Sequence, residues 1–178
     1  MDALLVYKND VRQVSAELRA AASTAFDLDW IPNRRKEIGI TVRRVDDHGS
    51  HVWKLGPLFV GDTVSLITAE VNEINEPDEF FTPADLERIQ KNQPKLKRGK
   101  RPTAKVREIA DLFCQISKKQ VCSVRLKSNN LFSAGFVWLD DRNGRSVMHI
   151  GLGGSSPAIK VPKINFGDEV TFISVSVY

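Results

Sequence analysis

The sequence predicts a mainly β (α+β) protein, with two duplicated small antiparallel β units joined by a helical basic connector. Three observations predict it. Short stretches alternate apolar with polar residues. One part of the chain repeats another at a nearly constant offset. A helix start and a run of cations lie between the two similar parts.

The strands read in order. Leu4 to Tyr7 is a strand, Asn9-Asp10 a turn, and Val11 to Leu18 a second strand. Ser15 to Ala22 also has helical composition, and the repeat decides for strand. Phe26, Leu28 and Trp30 alternate with Asp27 and Asp29; Ile38, Ile40 and Val42 alternate with Gly39, Thr41 and Arg43. Val64 and Leu66 continue the pattern after Gly61-Asp62, toward Ala69 or Val71. In the second half Phe136 and Trp138, Val147 to Leu152, and Val170 with Phe172 read the same way.

The repeat is explicit. Phe59 to Ile67 lies over Asn165 to Ile173 at an offset of 106. Further upstream the offset is 108: Trp30 meets Trp138, Val42 meets Ile150, Val14-Ser15 meets Cys122-Ser123, and Leu18 meets Leu126. The change falls between Val42 and Val52, where the first half has Asp46-Asp47-His48-Gly49-Ser50 and the second Gly153-Gly154-Ser155-Ser156, both turn compositions, where length varies freely. Gly61-Asp62 and Gly167-Asp168 precede equivalent strands. Glycine permits the tight turn there, and the aspartate accepts a local backbone hydrogen bond. Asn143-Gly144 reads as a hairpin turn.

Between the halves, Thr82-Pro83-Ala84-Asp85 is a helix start, and that helix stops near Pro94. A second helix is expected from about Ala104 to Ser117, with Val106, Ile109, Ala110, Phe113 and Ile116 along one face. The expected units are residues 1–80, a helical basic connector 81–118, and residues 119–178, with the halves packed as a pseudo-twofold pair.

The pattern resembles a family of small uncharacterised bacterial β-proteins. The residues that carry the resemblance are the Trp-ended strand at Trp30, the Gly61-Asp62-Thr63-Val64 strand start, and the acids and proline from Glu70 to Glu79. The resemblance implies an architecture and no chemistry.

Residues carrying recognisable chemistry are few. His48 and His51 sit in a stretch that reads as an exposed hairpin turn, so no metal site is expected. Gly151 to Ser156 lacks the lysine-threonine end of a phosphate loop. No serine occupies a nucleophile elbow. Cys114 and Cys122 read as packed thiols, and the acids from Glu70 to Glu79 as a solvated rim. The expectation is therefore no enzyme, no cofactor and no membrane span. With no leader-like start, a cytoplasmic location is expected.

Charge supplies the functional lead. Net charge is +4, yet residues 91–107 alone carry eight cations and no acid, so the remainder sums to −4. The candidate partner-binding residues are Lys95, Lys97, Arg98, Lys100 and Arg101. They suit an acidic protein partner, which makes the expected function a protein-binding module of the immunity type that neutralises a bacterial toxin. The alternative partner is nucleic acid, contacted through its phosphates. Residues 82–112 hold no aromatic side chain for base stacking.

Overall fold

A computed structural model describes residues 1–18, 23–30, 38–93, 108–127, 132–139, 145–152 and 164–176. In chain order the elements are β1 (Asp2–Lys8), β2 (Val11–Glu17), β3 (Ser23–Trp30), β4 (Ile38–Asp46), β5 (Gly49–Leu58), β6 (Thr63–Glu70), β7 (Glu79–Phe81), α1 (Pro83–Asn92), β8 (Glu108–Ile116), β9 (Lys119–Lys127), β10 (Phe132–Leu139), β11 (Arg145–Leu152) and β12 (Glu169–Ser176). The protein is mainly β, as expected. Every strand pair is antiparallel. One sheet runs β2-β1-β6-β12-β8-β9 and the other β11-β10-β3-β4-β5-β7.

The two sheets face each other over one core. The first contributes Leu4, Val6, Val64, Leu66, Leu112, Cys114, Val170 and Phe172; the second contributes Val42, Trp53, Leu55 and Leu58. These residues step by two along their strands, apart from Leu55 to Leu58, where the β4–β5 ladder shifts register, and that spacing puts them on the inner faces.

Both halves supply strands to both sheets, and the join is symmetric. β6 pairs with β12 so that Ser65 faces Thr171, its own equivalent at offset 106. Their hydroxyls lie 3.1 Å apart. In the other sheet β3 pairs with β10 so that Asp27 faces Gly135, its equivalent at offset 108. A pseudo-twofold axis therefore passes through both joins, at the centre of the first sheet and, in the second, between β10 and β3, with two strands on one side and four on the other. Hydrogen bonds across the join are reciprocal. Gly61 N–H donates to the Ser174 hydroxyl at 3.0 Å, and Gly167 N–H donates to the Thr68 hydroxyl at 2.8 Å.

Local structure repeats as closely. Asn9-Asp10 and Ser117-Lys118 both turn with positive φ at each residue, the geometry a two-residue hairpin requires. The ladder slips between Val6 and Tyr7 in one hairpin and between Cys114 and Gln115 in the other, equivalent positions. Before β6, the Asp62 carboxylate accepts the Phe59 N–H at 2.8 Å; before β12, Asp168 accepts the Asn165 N–H at 2.8 Å. Gly61 and Gly167 hold the positive φ beside these aspartates.

One expectation is corrected. Residues 108–116 form strand β8, not the second half of a helix from Ala104 to Ser117. Ile109, Ala110, Phe113 and Ile116 suit a helical stripe, but the buried set is Ala110, Leu112, Cys114 and Ile116, with period two. This short apolar run fits both periods. Pairing with β12 on one side and β9 on the other decides for strand. The first helix forms where expected. Thr82 caps α1 through a reciprocal pair with Asp85, and Pro83 opens it. None of its side chains is buried. The Asn143-Gly144 turn lies outside the described residues, although the strands that it joins, β10 and β11, do pair. Among the described residues no helix is long and apolar enough to cross a membrane.

Gly49 opens β5 at φ +142, and an added Cβ would run into the Phe81 backbone carbonyl. Gly49→Ala should therefore push β7 off β5 and cost about 2 kcal/mol. Urea denaturation should show that loss. Unchanged stability would mean that β7 tolerates displacement at no cost.

Candidate functional site

Arg44 continues the inward row of β4 after Val42, where alternation calls for an apolar residue. It is 4% exposed. A buried guanidinium needs counter-charge, and the hairpin supplies it. Its Nη1 lies 3.0 Å from Glu17 Oε2 on β2, and its Nε lies 3.3 Å from Asp46 Oδ2, two residues along the same face. His51 faces Arg44 across β4 and β5. Its Nε2 is also 3.3 Å from Asp46 Oδ2. Neither 3.3 Å contact has hydrogen-bond geometry, and the one from Arg44 acts through charge. The Arg44 guanidinium sits 5.9 Å from the Trp53 ring centre.

Burial pushes the Asp46 carboxyl up. The His48 N–H, with the charges of His51, Arg44 and His48, outweighs burial and holds it below the ordinary 3.8. Asp46 Oδ1 accepts that N–H at 2.9 Å, which closes the Asp47-His48 hairpin turn. His48 lies in the exposed hairpin turn, as expected; His51 does not, but sits half-buried on β5. Among the described residues no group of three or more metal-ligating side chains comes together.

The acidic stretch after β6 does more than form a rim. It crosses as a strap from the edge of the first sheet to the edge of the second. Val71 N–H bonds to the Met1 carbonyl at 2.8 Å. Ser15 Oγ donates to the Glu73 carbonyl at 3.1 Å. Asn75 N–H donates to the Ser15 carbonyl at 2.8 Å, and Ser15 N–H donates to Asn75 Oδ1 at 2.7 Å. Trp53 Nε1–H donates to the Asn75 carbonyl at 3.0 Å. The strap then joins β5: Asp78 N–H meets the Val52 carbonyl at 2.9 Å, and Lys54 N–H meets Asp78 Oδ2 at 2.6 Å. Between strap and hairpin lies a pocket of about 370 Å³, lined by Glu17, Arg44, His51, Trp53, Asn75 and Phe80, among others. Its charged groups oppose one another, and Asn75 and the Trp53 indole bond within its walls. Chemically this arrangement anchors the strap and holds the open side of the two sheets together.

The thiols form a second polar pair. Cys114 faces Cys122 across β8 and β9. Cys114 is buried, as expected, and Cys122 is half-buried against the core. The hydrogen bond from the Cys114 thiol pulls the Cys122 thiol down to about 7, and the same bond, with burial, pushes Cys114 up.

Of the residues singled out from the sequence for binding, Lys95, Lys97, Arg98, Lys100 and Arg101 lie outside the described residues. Lys91, at the end of α1, is exposed and 3.8 Å from Glu87. Sequence reasoning missed Glu17, Arg44, Trp53 and Asn75. Arg44 had a signal: a cation in register with Ile40 and Val42 on a half-buried strand. No family model, no curated protein and no solved structure matches the chain.

Proposed function

We propose that this chain is a non-enzymatic protein-binding module of the immunity type, which neutralises a bacterial toxin in the cytoplasm by covering an acidic surface. The observation that carries this reading is the segregation of charge. Eight cations and no acid fill residues 91–107, while the rest of the chain sums to −4. Such a concentrated charge speeds encounter with an opposite surface and repels wrong partners. The approach to it supports the reading: α1 leads into the segment without burying a side chain, and Ile89 is 42% exposed.

The test uses the intact chain and a variant with Lys97, Arg98, Lys100 and Arg101 each changed to Glu. The unaltered chain should retain an acidic protein from a bacterial lysate, and the variant should not. Labelled DNA and RNA of arbitrary sequence should show no salt-sensitive anisotropy change with either. Nucleic-acid binding at low salt that the four changes abolish would replace this reading with a phosphate-contacting one.

A further inference from the structure

The first sheet ends on two equivalent strands, β2 and β9, and their outer edges differ. Leu5 faces Ser15 across β1 and β2; Phe113 faces Ser123 across β8 and β9, in the same register and beside the same ladder slip. At β2 the strap takes the outward N–H and C=O of Ser15, together with its hydroxyl. Ser15 is 3% exposed and Leu5 6%. The shared register turns the N–H and C=O of Ser123 outward in the same way. There Ser123 is exposed and Phe113 half-buried. No described residue bonds to those outward groups.

The surroundings indicate what would bind. On the outer face Ile173 lies beside Phe113, and Val175, one pair further along, is 47% exposed. Residues 118–127 carry Lys118, Lys119, Arg125 and Lys127 and no acid. Arg125 is engaged by Asp111 at 2.7 Å, while Lys118 and Lys119 are exposed at the turn. The strap, which fills the equivalent edge, is the complement of this surface. Residues 70–79 carry Glu70, Glu73, Glu76, Asp78 and Glu79, no cation, and the apolar Ile74 next to Asn75.

We propose that the outer edge of β9, centred on Ser123, receives an extended acidic segment of a partner protein, added as the strap is added to β2. A backbone N–H and an oxygen acceptor from that segment meet the carbonyl and N–H of Ser123. An apolar side chain lies toward Phe113, and acids lie toward Lys118 and Lys119. This is strand-edge addition, with the affinity in main-chain bonds and the sign of the partner set by charge. The proposal does not depend on residues 91–107, and it stands if that segment only connects the halves.

The test is anisotropy of a labelled peptide, Glu-Val-Asn-Glu-Ile-Asn-Glu-Pro-Asp-Glu, titrated with the full-length chain. Saturable binding is expected, with new amide protection confined to residues 121–125. Methylating the backbone nitrogen of the second asparagine and removing its side-chain amide should weaken binding about tenfold, for two lost hydrogen bonds. These changes leave the protein itself untouched. Lys119→Glu should weaken binding a few-fold, and this loss should shrink with added salt. Absence of binding at millimolar protein, or binding indifferent to the peptide changes, would overturn the proposal. So would protection at residues 11–17, which would mean that the peptide displaces the strap. Dimerisation of the chain through β9 would assign the edge to a second copy instead.

Discussion

Replacing Arg44 by alanine is expected to cost about 3 kcal/mol of folding stability. The guanidinium is 4% exposed and stands between two carboxylates. Its loss strands both in a poorly hydrated place, and that penalty exceeds the worth of the contacts themselves. The lower end of the range for broken buried pairs applies, because the Glu17 and Asp46 side chains keep 19% and 10% of their surface. Acid should shrink the effect. Asp46 titrates below 3.8 in the folded chain, so its contribution is complete above the ordinary value and is lost as pH falls through the lowered one. Without Arg44 one of the charges that lower it is gone. The carboxyl moves up, so the stability gap between the two proteins narrows as pH falls and Asp46 is protonated in both. Urea denaturation at neutral and at acid pH, followed by tryptophan fluorescence, measures both effects. A stability gap that is the same at neutral and acid pH would show that Arg44 does not hold Asp46 ionised.

Trp53→Ala should be more damaging, at about 4 kcal/mol. The side chain is 2% exposed and belongs to the core shared by both sheets. Its indole N–H also donates to the Asn75 carbonyl, so it ties the strap to the hairpin. Trp53→Phe separates these roles. Much of the packing survives, the hydrogen bond does not, and a loss of about 1–2 kcal/mol is expected. In Trp53→Phe the strap amides should exchange faster while the β6 and β12 amides stay protected. A uniform rise in exchange across both sheets would mean that the indole bond has no particular hold on the strap.

Legibility from the sequence followed the range of the interactions. The Gly-Asp strand starts, the Asn9-Asp10 turn and the Thr82 cap are local, and each was readable from a few residues. The repeat was readable because both copies keep their inward rows. β8 was misread because Ile109 to Ile116 satisfies a period of two and a period near four, and only its neighbours β12 and β9 decide between them. The Ser117-Lys118 turn disappeared inside that misreading, although its equivalent at Asn9-Asp10 was recognised. The strap was hidden for another reason. Its main bonds join the backbone of Asn75 to Ser15 and the indole of Trp53, sites far apart along the chain whose residue types do not announce a partner. The pocket followed the strap into obscurity, apart from the misplaced cation at Arg44.

The most direct test is amide exchange at Ser15 and Ser123 in the free chain, resolved by NMR. The two residues occupy equivalent places on equivalent edge strands, and among the described residues only Ser15 finds an acceptor for its N–H, Asn75 Oδ1 at 2.7 Å. Ser15 should exchange at least about tenfold more slowly than Ser123, as a bonded amide does against one open to water. Similar protection at the two positions would contradict the account, because it would mean that the β9 edge is already covered.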